Sequence, residues 1–457
     1  MARNQSRGSQ AITLGFAAIL VVAACASPTT SPSAAPASPG GAASPGASAS
    51  GGAQLGGALN VWTAWGGEEL KAFQAVLQPF IDQTGIQVNL LTIRDQDLQL
   101  SNNVAAGTSL PDIANPPNPQ RYTEWAQKGI MKPLEDFIDM DAYKASTLPG
   151  LLLEDPNYGF IDSKHYLLMV KSQLKGLLWY NPKNYTGEAP ATWDDLVATP
   201  PAPATNLFCA AFESGDASGW PASDAIANII MRQSGEKVYV DWYEGRHKWT
   251  SPEIKKAYET LSQMVKNDAL YGGTNYALST NFQRGGDGLF TNPPGCLFLE
   301  QATFIPQMFV QNDPTLKAGD NFNFFPHPKF NDEFAGNVEG FFDTFVMYND
   351  TPQARALMQY MVTEEAQQTW VDKGGTLAAS KDITKYPDVL GENASKILLA
   401  SKNILLTAGD YMPADMQRAF WKSLLDFTND QSQLDSILGN LDQVQASSYT
   451  PQPSPSS

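Results

Sequence analysis

The sequence predicts an α/β protein of two lobes, each a mostly parallel sheet flanked by helices. Three observations predict it. Short apolar strands alternate with longer amphipathic helices. The order at the start of the folded part is strand, helix, strand, helix, strand, which requires parallel neighbours with helices on both faces. The folded stretch, residues 58–445, is also large for one doubly wound sheet, so two α/β units suit its length better.

The elements follow in chain order. Arg3 and Arg7 are the only charges before Glu68, and they precede an apolar run from Ala11 to Ala24. Fourteen residues at ~1.5 Å each span ~21 Å, short of a bilayer core of ~30 Å. Residues 1–24 therefore read as an export signal. The run ends Val22-Ala23-Ala24-Cys25, similar to a bacterial lipobox, which marks Cys25 as the lipidated first residue of the mature chain. The alternative is ordinary cleavage near Ala24. From 26 to 57 every residue except Gln54 and Leu55 is Ala, Ser, Pro, Gly or Thr, a flexible tether that builds no core. Leu59–Thr63 reads as the first strand and Glu68–Ile81 as the helix after a Gly66-Gly67 turn. Ile86–Leu91, a polar helix at Asp95–Ala106 and a strand at Asp112–Asn115 follow. Thr192-Trp193-Asp194-Asp195 resembles a capping box. Ser251-Pro252-Glu253 opens a helix whose apolar face is Ile254, Tyr258, Leu261 and Val265; Thr351-Pro352 opens another, with Gly374-Gly375 as the stop after it. Residues 446–457 read as a disordered tail.

Composition excludes several functions. Acidic residues outnumber basic ones 47 to 30, which disfavours nucleic acid and electrostatic attachment to anionic lipid. No dinucleotide, P-loop, zincin, CxxC or nucleophile-elbow motif occurs. His165, His247 and His327 stand singly, so neither metal nor cofactor is expected. A pair of carboxylates for glycoside hydrolysis stays open, because such pairing is spatial. Aromatics reach 11%, with ten tryptophans. Export to an oxidising space makes Cys209 and Cys296 a candidate disulfide closing a loop of 87 steps; two buried free thiols are the alternative.

A series of blocks then resembles the extracellular solute-binding proteins of ABC sugar importers, in particular the α-glucoside and maltodextrin branch. The blocks are Leu110-Pro111-Asp112-Ile113-Ala114 with Lys132-Pro133-Leu134-Glu135, and Gly176–Asn181 with Pro190–Asp194. After them come Gly219-Trp220-Pro221, Pro294-Gly295-Cys296, Gln301–Phe304, Gly340–Asp343 and Trp370–Gly375. The resemblance implies lobes of 58–168 plus 330–378 and of 169–329 plus 379–445, with ligand held in the cleft between them. It also implies a monomer that closes on a small sugar, delivers it to ABC permease subunits and meets the membrane only through its lipid. A sugar site needs polar groups and aromatic faces on loops after strands. The candidates are Trp65, Gly67 and Glu68 in the first loop, Asn115 and Gln120 after the third strand, and Trp179 after the first crossing. Trp220 and Gln301 belong to the second lobe, Phe341 and Asp343 follow the second crossing, and Asp415 and Trp421 open a late helix. A secreted two-carboxylate hydrolase, and the same fold binding a cationic solute such as a polyamine, are the competing readings.

Overall fold

The computed structural model describes residues 54–93, 95–116, 122–148, 160–161, 164–374, 376–401 and 403–449. The signal sequence, Cys25, nearly all of the tether, the tail beyond 449 and Gln120 lie outside them. The first sheet contains β1 (Ala58–Thr63), β2 (Gln87–Thr92) and β3 (Ile113–Asn115). A small hairpin joins β4 (Phe160–Ile161) to β5 (Lys164–His165). Next come β6 (Leu168–Leu174), β7 (Leu177–Tyr180), β8 (Asn206–Cys209), β9 (Cys296–Gln301), β10 (Asn323–Pro326), β11 (Asn337–Met347) and β12 (Asn403–Leu406). The first sheet runs β12-β11-β3-β1-β2 with β6 also paired to β11; the second runs β10-β7-β9-β8.

β1 pairs parallel with β2 and β3, as the strand–helix alternation predicts. The Gly67–Thr84 helix between them buries Ala72, Phe73, Val76, Leu77 and Phe80, one face at helical spacing. It ends at Gly85, whose φ of 68° lets its N–H reach the Ile81 carbonyl. The expectation of a mostly parallel sheet does not hold for the second sheet. There β7 is antiparallel to both β9 and β10, and only β8 and β9 are parallel. β7 enters this sheet directly from β6 of the first sheet through Lys175-Gly176, and it runs opposite to both of its neighbours.

β11 is the long strand of the structure and is shared. Residues 337–340 pair with β12, 340–345 with β6, and 346–347 with β3. Its pairing with β6 slips between Asp343 and Thr344, leaving Val170 as a bulge. Gly340 is required where β12 approaches, since a Cβ there would lie 2.6 Å from the Ile404 side chain.

Local signals hold with two differences. Thr192 and Asp195 form the full capping box. Thr351 caps the helix Pro352–Met361. That helix stops early, and Thr363 caps a second one, Glu364–Asp372, before Gly374 at φ 79°. Ser251 sits at a helix start, but its hydroxyl makes no capping bond. Cys209 and Cys296 are bonded, their Cα atoms 5.5 Å apart across the parallel β8–β9 pair. No described helix is long and apolar enough to cross a membrane.

Candidate functional site

The candidate site is built on β6 and its exit, where Lys171, Ser172, Gln173 and Lys175 stand among apolar residues. Lys171 is 2% exposed. Its ammonium lies 3.0 Å from Glu69 Oε1 and 3.4 Å from Asp343 Oδ2, and 4.7 Å from the centre of the Trp65 ring. Burial alone would lower the lysine, but Asp343 and Glu69 outweigh it and hold the ammonium above its ordinary range. Trp65 Nε1 donates to Asp343 Oδ1 at 3.3 Å. The Ala64 amide donates to Asn115 Oδ1 at 3.0 Å, which fixes the loop after β1 to the end of β3.

Four residues on, Lys175 makes the second cluster. It meets Asp224 at 2.9 Å, both side chains 8% exposed. Its ammonium is 5.6 Å from the Trp220 ring and 5.3 Å from the Phe341 ring. Trp220 in turn packs edge-on to Phe282 at 5.1 Å and near Phe304 at 5.9 Å. Trp220, Phe282, Phe304 and Phe341 are all half-buried, so each keeps part of its surface toward solvent. Asp410, on the short helix after β12, is pushed up to about 7 by burial and by Asp224, Asp97 and Asp343, against the pull of Lys175. Glu339 on β11 is fully buried, accepts from Asn228 Nδ2 at 2.5 Å and sits well above the carboxylate range through burial and Asp224. Glu300 on β9 is pushed up to about 8, chiefly by burial, and neither of its oxygens has a hydrogen-bond partner among the described residues.

The sequence-predicted residues divide on this geometry. Asp343, Phe341 and Trp220 belong to the two clusters. Trp65 joins them through its indole N–H, yet its ring is 4% exposed and wedged edge-on between Phe73 and Trp370, which leaves no open face for stacking. Asn115 is a 3% exposed brace for the β1 loop. Gly67 is exposed at φ 56°, and Glu68 beside it pairs with Lys71. Trp179 is core: 1% exposed, packed on Phe309, Phe322 and Phe324, with its N–H on the Gln301 carbonyl. Trp179 and its neighbour Tyr180 are both buried, each in a different apolar cluster. Gln301 is buried and its side chain accepts from the Ala302 amide. Asp415 is exposed and paired with Arg418 within its own helical turn. Trp421 is 9% exposed, and its backbone carbonyl stands where a Cβ of Gly219 would fall. Lys171, Lys175, Asp410, Phe282 and Glu300 escaped the sequence reading. The one signal for Lys171 was a charge inside a strand destined for burial, with Lys175 directly after its last residue.

The comparisons agree with this architecture. A model for the bacterial extracellular solute-binding protein family matches residues 75–394. The osmoprotective compounds-binding protein GgtB of Synechocystis sp. is 28% identical over 375 residues, covering 79% of this chain and 86% of the relative. The alpha-glucosides-binding periplasmic protein AglE of Rhizobium meliloti is 29% identical over 401 residues, 84% of this chain and 86% of the relative. Among solved structures, a chitin oligosaccharide binding protein superposes with a TM-score of 0.72 at 16% identity, covering 87% of this chain and 100% of that one; this likeness speaks to the fold. On the family match and the two-lobed α/β fold together, the chain belongs to the bacterial extracellular solute-binding proteins.

Proposed function

We propose that this chain is an extracytoplasmic, lipid-anchored receptor that captures a sugar, an α-glucoside or short oligosaccharide, and passes it to an ABC importer permease. The observation that carries the reading is the set of half-buried aromatics at the Lys175–Asp224 pair: Trp220 and Phe341 beside Lys175, with Phe282 and Phe304 against Trp220. Aromatic faces meet the C–H patches of a sugar, while carboxylates and an ammonium meet its hydroxyls. The names of AglE and of the chitin oligosaccharide protein support a carbohydrate, and that of GgtB extends the range to osmoprotective compounds. The lobes are taken as 58–168 plus 330–378 and 169–329 plus 379–445. Ligand closes them by contacts made only when they meet, a shift of populations. Cys25 is the anchor and 26–57 the tether that lets the body reorient.

The test is a thermal-shift and calorimetric panel of maltose, trehalose, sucrose and longer dextrins. One sugar at ~100 times its Kd adds ~2.7 kcal/mol to stability with one-to-one stoichiometry. Stabilisation by none of them refutes the reading, and release of reducing ends without a binding plateau favours the hydrolase. Replacing Cys25 with Ala releases the protein from the membrane fraction; unchanged retention refutes the anchor.

A further inference from the structure

Beside the two charged clusters the chain lines a partly open cavity of about 600 Å³, within the range of small-ligand sites. One wall is the helix Ile305–Asn312 with β10; the other is the chain after the Glu364–Asp372 helix and the start of the helix Val389–Ala400. Glu68 and Thr303 both line it. Glu68 is in the first turn of the Gly67–Thr84 helix, just after the Trp65 loop, and Thr303 directly precedes Phe304, so the cavity adjoins both charged clusters through these neighbours.

Its chemistry differs from the cleft. Val310, Pro314, Leu377 and Leu390 make much of the wall. At its floor Trp179 and Phe322 are 1% exposed and Phe324 8%, with the indole packed against both phenyl rings. Such a floor accepts an apolar group but presents no open ring face to a sugar. One polar feature is unanswered: Gln307 Nε2 donates to the Gly374 carbonyl at 3.0 Å, whereas its Oε1 is buried without a partner among the described residues. A buried acceptor left alone is costly, and a donor on an occupant removes that cost.

We propose that this cavity takes the apolar aglycone of a glycoside whose sugar sits in the cleft, with an O–H or N–H of the aglycone on Gln307 Oε1. The assignment rests on the sugar-binding reading above. It adds that the solute is an amphipathic glycoside and not a plain saccharide.

The test compares methyl and 4-hydroxyphenyl glycosides of the same sugar, in α-gluco, α-galacto and β-xylo series, by calorimetry on the full-length protein. Burying an aromatic ring is expected to lower Kd at least tenfold relative to the methyl glycoside. Val310→Trp and Pro314→Trp, at exposed wall positions that tolerate a larger side chain, shrink that gain to threefold or less and leave the methyl glycoside's Kd in place. Methyl glycoside binding with no aryl gain overturns the cavity assignment alone. An aryl gain that survives both substitutions also overturns it, because the ring then lies elsewhere. No binding of any glycoside overturns this inference and the sugar reading together.

Discussion

Replacing Glu300 with Gln is expected to stabilise the protein, and by an amount that depends on pH. Glu300 is 9% exposed, its two oxygens lack hydrogen-bond partners among the described residues, and its carboxyl is pushed from 4.5 up to about 8, first by burial and then by Asp224, with Arg232 opposing. The folded chain therefore keeps this proton to a higher pH than the unfolded chain does. Stability falls as pH rises from about 4.5 to about 8, because unfolding releases the proton throughout that window. The accumulated cost is under ~1 kcal/mol at pH 5, ~3 kcal/mol at pH 7 and ~5 kcal/mol at pH 9. Gln keeps the shape and carries no such proton, so Glu300→Gln should exceed the native protein by ~2–3 kcal/mol at pH 7. For a chain of this length that is a rise in Tm of ~3 °C. The assay is thermal and urea denaturation of both proteins at pH 5, 7 and 9. A variant no more stable than the native protein at pH 7, or a difference that stays constant from pH 5 to 9, refutes the reasoning. Either result would mean that the carboxylate is ionised and fully offset by Arg232.

Three more outcomes are expected. Trp220→Ala weakens ligand binding 10- to 100-fold, ~1.5–3 kcal/mol, with little change in Tm, as read by calorimetry; an unchanged Kd removes Trp220 from the site. Lys171→Met strands Asp343 and Glu69 without their cation and costs ~3–5 kcal/mol at pH 8, a loss that shrinks toward pH 5 as Asp343, already raised by burial, takes up a proton; equal losses at both pH values in denaturation curves contradict this. Exchanging both Cys209 and Cys296 for Ser opens the 87-residue loop and lowers stability by ~4–5 kcal/mol, while thiol titration of the unfolded, unreduced native chain finds neither cysteine reactive.

Local periodicity carried the reading of the first sheet. Strands at 58–63, 87–92 and 113–115, with helices at 67–84 and 96–106, lie within a few residues of their expected bounds, because each alternates or repeats at its own period. The second sheet was harder: β7, β8 and β9 are short and almost wholly buried, so neither alternation nor a polar face marks them. Antiparallel pairing of β11 with β6 and β3 joins residues far apart in sequence, which no local pattern encodes. The site divided for the same reason. Trp220, Phe341 and Asp343 came from their place relative to turns and strand crossings. The tryptophans at 65 and 179 misled because aromatic content alone does not separate a stacking face from a packed one. Lys171 and Lys175 acquire meaning only when Asp343, Glu69 and Asp224 arrive from elsewhere in the chain.

The bulge at Val170 has a consequence for the charges on β6. Beyond it, Lys171, Gln173 and Lys175 fall at every second position and share a face, and Lys171 lies opposite Asp343 on β11. Before it, Leu168 and Met169 are released from that alternation and pack in the apolar core. Deleting Val170 would leave Lys171 opposite Asp343 and Met169 opposite Thr344, and would remove only the local bend and added twist of the bulge. The added residue puts Met169 and Lys171, which a regular strand would hold on one face, opposite adjacent residues of β11 and therefore on opposite faces.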